Sequence, residues 1–507
     1  ADQYKQRARF DEIALVTNMT EAQVAIFSAH RHHFPDFHIS ARSSRYYPDG
    51  ELWAHVVGYV GRISEKDLAE IDTRRYRATT HIGKSGIEAS YEDVLHGDVG
   101  YQQVEINAQG RVVRVLEKTP PTPGNDLYLT VDAGLQREAH EALAGRRGAI
   151  VAIDPETGGV LAMASAPSFD PNLFVNGIGR SAYAALRDSP DRPLFNRALQ
   201  GQYPPGSTIK PLVALAGLEL GHRHADDATS CPGWYRLPGE SHRYRDWLKR
   251  GHGKVDMLDA IAQSCDVYFY DLARDLGIDD LHDFMARFGF GTVTGIDVPN
   301  EASGLFPSSE WKRRARGVAW YPGETLIAGI GQGFTLATPL QLASAMATLA
   351  QRGFTLTPHL LGQVENPLTH MATEPQVLPR QAVPGVSDAH WDIVIGGMRE
   401  VLFGPRGTAR GSARGAKYEY AGKTGTAQLF RIAQDETVKN EDVEERLRDH
   451  ALFVAFAPLQ LPRIAVGIIV ENGSSGSRTA APIARRLFDY YLVPEASEDA
   501  LAADDTH

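Results

Sequence analysis

Three polar strings in one order, Ser207-Thr208-Ile209-Lys210, Ser264-Cys265-Asp266 and Lys423-Thr424-Gly425-Thr426, constrain this chain most. Together they read as the parts of a serine acyl-transfer site, so the fold must bring a helix start, a polar corner and a strand to one point. Tyr203-Pro204-Pro205-Gly206 precedes the first string and an apolar run from Pro211 to Leu220 follows it. Ser207 is therefore expected to open a helix, with Lys210 one turn further on. A serine hydroxyl is a poor nucleophile at neutral pH and needs an adjacent base, and a lysine serves only if it is largely uncharged. Moving a lysine from about 10.4 to about 7 takes roughly 4 to 5 kcal/mol of differential stabilisation, from burial and a neighbouring cation. Lys423 is expected to be that cation and Ser264 to relay the proton between base and leaving group.

The third string reads as a strand running from Tyr418 to Ala427, whose glycines permit close approach of another backbone. A peptide-like substrate would pair along its edge as an added strand. The amides of Ser207 and Thr426 are the expected oxyanion donors. Each string alone is weak: Ser309-Glu310-Trp311-Lys312, Ser168-Phe169-Asp170 and Lys84-Ser85-Gly86 repeat the three patterns elsewhere. Order, the Pro-Pro-Gly lead-in and the glycine-bounded strand carry the reading.

The segment from Tyr203 to Pro211 closely resembles the nucleophile segment of class B penicillin-binding proteins. Arg45-Tyr46-Tyr47-Pro48, Ala54-His55-Val56-Val57-Gly58-Tyr59 and Gly83-Lys84-Ser85-Gly86-Ile87-Glu88 look like that family's N-terminal module; Gly329-Ile330-Gly331-Gln332-Gly333 with Thr338-Pro339-Leu340-Gln341 looks like its catalytic core. The resemblance implies a peptidoglycan D,D-transpeptidase, trapped by β-lactams, with Ser207 as nucleophile, Lys210 as base and Ser264 as relay. Lys423, Thr424, Gly425 and Thr426 would then contact the substrate carboxylate and oxyanion. Asp266 stands where many relatives have asparagine; aspartate is usual in the cell-elongation members, which Tyr244-Arg245-Asp246-Trp247 also resembles. The resemblance further implies a membrane glycosyltransferase and elongation-complex scaffold proteins as partners. It implies an N-terminal anchor in the bacterial inner membrane, a periplasmic catalytic domain and no cofactor for catalysis. The rival readings are a β-lactamase, a β-lactam-binding sensor and a regulatory partner of the glycosyltransferase.

Composition agrees. A formal charge of -11 and the lack of a Lys/Arg run argue against a nucleic-acid partner, and 43% apolar residues suffice for a large core. No uninterrupted apolar stretch of about 18 residues exists to span a membrane. Two cysteines fall in the spacing Cys231-x14-Asp246-x5-His252-x12-Cys265, a donor set suited to tetrahedral zinc. Zinc is the favoured reading, a disulfide the second and free thiols the third. Some elongation-type relatives carry a structural zinc at positions matching Asp246, His252 and Cys265, with an aspartate at that of Cys231.

Three segments are expected: an N-terminal pedestal with a head region over 1–140, a transpeptidase domain over 141–494 and a disordered acidic tail over 495–507. In the second, a hairpin at Gly148–Ile153 and Val160–Ala164 and late strands at Leu452–Phe456 and Ile464–Val470 would share one sheet. The expected fold class is α+β, a five-stranded antiparallel sheet with helices on both sides. A helix is expected from Met257 to Gly277, and a loop beside the site from Gln434 to Arg448. Gly329–Gly333 lacks the spacing and lysine of a phosphate loop. Asn196 reads as structural, and Trp234, Tyr235, Trp320 and Tyr321 as packing.

Overall fold

A computed structural model describes residues 15–16, 19–41, 43–76, 79–108, 112–374, 379–429 and 443–493. The chain divides into two compact units: Ala1–Leu127 with Asp170–Ala185 and Glu365–Ala372, and Tyr128–Phe169 with Leu186–Val364 and Thr373–His507.

The first unit is organised by polar anchors. Glu88 is buried, pairs with Arg45 Nε at 2.6 Å and accepts the Tyr47 hydroxyl at 3.1 Å, while that hydroxyl accepts the Val60 N–H at 2.8 Å. A buried carboxylate without such partners would be costly. The Arg45–Pro48 and Gly83–Glu88 strings are thus two sides of one contact. Strands Val60–Arg62 and His81–Gly83 pair beside it, and Tyr101–Ile106 pairs with Val112–Thr119 as an exposed ribbon.

The second unit is built on five strands: β1 (Gly148–Ile153), β2 (Val160–Ala166), β3 (Ala421–Ala427), β4 (His450–Ala457) and β5 (Ile464–Val470). Their spatial order is β3-β4-β5-β1-β2, antiparallel throughout. β1, β2 and β5 are buried at every position, as their unbroken apolar runs require when both faces are covered. The period of two identifies the covers. Gly467, opposite Val151, faces α5 (Pro339–Ala350): a Cβ there would lie 2.6 Å from the Pro339 carbonyl oxygen. Gly148, three residues from Val151 and so on the other face, meets Leu143 of α1 (Ala133–Leu143). Asp132 caps α1 by accepting the Leu135 N–H at 2.8 Å. The closing helix α7 (Ala481–Leu492) joins α1 through Arg486, bonded to Glu138 at 2.5 Å and Glu141 at 2.8 Å.

The expected α+β sheet with helices on both faces is therefore present, and the chain's early and late strands share it. One expectation fails. The helix expected from Met257 to Gly277 is two, α3 (Met257–Gln263) and α4 (Asp266–Leu276), broken where Ser264 turns left-handed at φ 57°. The acidic tail and residues 434–442 of the expected loop lie outside the described residues; Glu445–Leu447 forms a single 3-10 turn.

Candidate active site

The nucleophile turn is made by sequence chemistry that only glycine and proline satisfy. Gly206 has φ +54°, and a Cβ on it would lie 2.6 Å from the Thr426 carbonyl oxygen of β3. The backbone therefore turns directly against the strand. Gly206–Ile209 is a 3-10 turn that feeds α2 (Lys210–Glu219). From Pro205 to Leu218 every residue is buried except Ser207, which is half-buried. The Gly329–Gly333 run wedges this turn in place: Gly206 N–H donates to the Gly331 carbonyl at 2.8 Å and Gln332 Nε2 to that of Thr426 at 2.9 Å.

Behind Ser207 two lysines are wholly buried. Lys210 Nζ lies 2.7 Å from Asp266 Oδ1, 2.9 Å from the Ser264 carbonyl oxygen and 3.3 Å from Ser264 Oγ. Lys423 Nζ lies 2.9 Å from Ser264 Oγ and 3.0 Å from the Thr424 carbonyl oxygen. Ser264 Oγ thus joins the two amines. Burial first, and then the charge of Lys210, push the Lys423 ammonium well below the ordinary lysine range, with Asp266 pulling the other way. Lys210 also carries the ion pair to Asp266. The Ser207 hydroxyl makes no hydrogen bond among the described residues; both amines meet at Ser264 Oγ instead.

A corner, rather than a helix, holds Ser264. Its left-handed backbone ends α3, and Asp246 Oδ2 accepts the N–H groups of Asp266 at 2.8 Å and Val267 at 3.2 Å, capping α4 from another segment. Trp247 completes the clamp. Its backbone N–H donates to Asp266 Oδ2 at 3.0 Å and its indole N–H to the Ser264 carbonyl at 3.1 Å.

Asp246 also belongs to the four-residue cluster. Cys231 Sγ stands 3.5 Å from Asp246 Oδ2 and 3.6 Å from His252 Nδ1; Cys265 Sγ is 3.4 Å from Asp246 Oδ2, and His252 Nδ1 is 3.4 Å from Asp246 Oδ1. All four ligand atoms lie within 4.8 Å of one another and both thiols are free. An ion with bonds of about 2.0 to 2.3 Å sets tetrahedral ligands roughly 3.3 to 3.8 Å apart, so the donors fit zinc. The bond from Cys265 lowers the Cys231 thiol to about 6, while Cys231 and burial push the Cys265 thiol far up: two sulfurs share one proton. A divalent cation is what lets both ionise.

On β3, Thr424 is buried and its hydroxyl meets that of Thr408 at 3.0 Å; Gly425 packs on the nucleophile turn, where a Cβ would lie 2.6 Å from Thr208 Cγ2; Thr426 is half-buried. Sequence reasoning passed over Thr408, Gln332 and Trp247 as site residues. Trp247 lay inside a string noted only for resemblance, Gln332 inside one weighed as a phosphate loop, and Thr408 carries no local signal. Asn196 does cap the helix Arg197–Gln200. The other repeats of the patterns stand apart: Lys312 is paired with Glu324 at 2.6 Å, and Lys84 pairs with Asp67 in the first unit.

The penicillin-binding protein transpeptidase domain matches residues 148–489 and the penicillin-binding protein dimerisation domain residues 1–129. The peptidoglycan D,D-transpeptidase MrdA of Acinetobacter baumannii is 48% identical over 97% of this chain and 73% of its own length. Pseudomonas aeruginosa PBP2, solved in complex with WCK 5153, is 50% identical with a TM-score of 0.79, covering 90% of this chain and 92% of that one. PBP2 of Helicobacter pylori, solved in complex with MreC, is 33% identical with a TM-score of 0.82, covering 94% and 85%. Family models matching both halves of the chain, with relatives 48% and 50% identical over nearly its whole length, show that the chain belongs to the class B penicillin-binding proteins.

Proposed function

We propose that this chain is a peptidoglycan D,D-transpeptidase of the cell-elongation type. The observation that carries this is the pair of buried lysines, 210 and 423, both on Ser264 Oγ, behind the half-buried Ser207 and beside the edge strand β3.

Donor stem peptide lies along β3 as an added strand, with Thr424, Gly425 and Thr426 against its end. Burial leaves the Lys423 amine unprotonated, and through Ser264 Oγ it and Lys210 draw off the proton of Ser207 as that oxygen attacks. The serine oxygen bonds to the penultimate D-alanine carbonyl carbon, with the Ser207 and Thr426 amides on the oxyanion. The C–N bond to the terminal D-alanine breaks, and its nitrogen leaves with the proton. An amine of a neighbouring stem attacks the ester, the C–O bond breaks, the serine recovers a proton and a cross-link remains. Asp266 holds Lys210 and the corner in register. A β-lactam, opening at the same carbonyl, stops the sequence at the acyl-enzyme.

Cys231, Asp246, His252 and Cys265 are assigned a structural zinc. When bound it supplies charge that holds both thiolates, and these residues then fix Asp246 against the N–H groups of Asp266 and Val267. The segment before about residue 141 serves as pedestal and head. By analogy with the Helicobacter complex, an MreC-type scaffold docks on this protein, and a membrane glycosyltransferase works beside it. Among the described residues no helix is long and apolar enough to cross a membrane; the inner-membrane anchor and periplasmic placement are assigned by family. The test is product analysis with a pentapeptide substrate and an acceptor amine. D-alanine release with a cross-linked product supports the reading; release without cross-link under excess acceptor, or no release, defeats it.

A further inference from the structure

The hairpin just before the Ser264 corner carries a basic, aromatic surface on a chain of charge -11. Trp234–Tyr235 pairs antiparallel with Tyr244–Arg245, Tyr235 opposite Tyr244 and Trp234 opposite Arg245. The alternation of strand side chains gives the hairpin two faces. Tyr235 and Tyr244 turn inward onto the buried cluster of Leu237, Tyr270 and Leu326. Trp234 turns outward with Arg245 across from it, and two further guanidiniums stack on its indole: Arg243 at 4.6 Å and Arg236 at 5.3 Å from the ring centroid. Arg236, Arg243 and Arg245 are all exposed. Arg236 and Arg243 make no ion pair among the described residues, and Glu240 at the hairpin tip is the nearby acid of this segment.

A guanidinium held over an indole keeps its N–H groups available, and those groups bind a carboxylate with two parallel hydrogen bonds. Like charges gathered round one ring repel until an anion joins them. The location narrows the anion's source. Arg245 is followed at once by Asp246, which caps α4, and by Trp247, whose indole bonds the Ser264 carbonyl. Two residues reach at most about 7 Å, so the cationic face begins beside the Ser264 corner of the site.

We propose that this face docks a second stem peptide of the same polymer, one that is not reacting, through its terminal carboxylate. The inference rests on the transpeptidase reading above. Every uncleaved D-Ala-D-Ala stem ends in a carboxylate, and a strand engaged at Ser207 presents its other stems at high local concentration. Docking one of them holds the polymer while the acyl-enzyme awaits its amine.

The test uses the full chain, its double variant R236E/R243E and the conservative R236K/R243K. The probes are insoluble sacculi rich in pentapeptide stems, the same sacculi stripped of stems by an amidase, and vesicles of phosphatidylglycerol and phosphatidylethanolamine. Expected are co-sedimentation with pentapeptide sacculi about tenfold weaker for the charge-reversed protein, partial retention by the lysine variant, and acylation by fluorescent penicillin within about twofold of wild type. Wild-type binding to stripped sacculi should be as weak as that of the variant. Undiminished binding by R236E/R243E, equal wild-type binding to stripped glycan, or a loss confined to vesicles overturns the proposal. Where acylation itself falls in the double variant, R243Q carries the sedimentation test instead. Absence of penicillin labelling in the wild type would defeat the transpeptidase reading and not the docking measurement, so the two failures are distinguishable.

Discussion

Lys423 and Ser264 meet at 2.9 Å, yet the chain brings them there by different means. Lys423 rides on β3, seven residues paired in register with β4, whose residues from Ala451 to Ala457 are all buried. Ser264 rides on a left-handed corner held by Asp246, Trp247 and a polar four-residue cluster. The strand wall is overdetermined by burial, so losing one contact costs stability and leaves the geometry. The corner hangs on a few polar bonds, so losing one moves the catalytic atom. Stability and rate should therefore separate along the two walls.

The largest effect should come where the walls touch. Lys210→Met and Lys423→Met each remove one amine from Ser264 and should lower the second-order rate of penicillin acylation by at least about a thousandfold, read by stopped-flow fluorescence. Asp246→Ala or Cys265→Ser attacks only the corner. Acylation should fall about 10- to 100-fold, with zinc dropping from near one equivalent by elemental analysis, and chelation of wild type should reproduce the loss. Zinc below about a tenth of an equivalent in active wild type would remove the metal from the account.

The pH profile sharpens the comparison next. Lys423 is depressed, so it is neutral above its lowered value and protonated below it. Acylation should rise about tenfold per pH unit until that value, far below the ordinary lysine range, and then level off. Stability linkage has the same sign. The unfolded lysine binds more protons between the lowered value and about 10.4, so unfolding free energy should climb with pH there, and less so in Lys423→Met. On the strand wall Phe453→Ala should cost about 3 to 5 kcal/mol of stability in denaturant titration while the folded protein acylates within about threefold of wild type. Thr408→Val, which takes one hydroxyl from Thr424, should change the rate least, about two- to fivefold.

The same division decides what the sequence could reveal. β1, β2, β4 and β5 are legible because their apolar runs are dictated by burial on both faces, and the strand from Ile464 to Val470 is read to its ends. The helix start near Ser207 is legible from its Pro-Pro-Gly lead-in, although its first turn is 3-10 and the α-helix begins at Lys210. The corner is not. Nothing local in Met257–Gly277 announces a break at Ser264, because the bonds that make it come from Asp246 and Trp247, eighteen and seventeen positions earlier. The Lys210–Asp266 ion pair was illegible for the same reason: it exists only after the corner forms. Thr408 reaches Thr424 across a loop whose composition is ordinary.

The account depends most on Ser207 as the one oxygen these amines serve, and peptide mapping by mass spectrometry after exposure to penicillin tests that directly. The account predicts the intact drug's mass on the peptide bearing Ser207 and none in Ser207→Ala; an adduct on another residue, or labelling that survives Ser207→Ala, would contradict it.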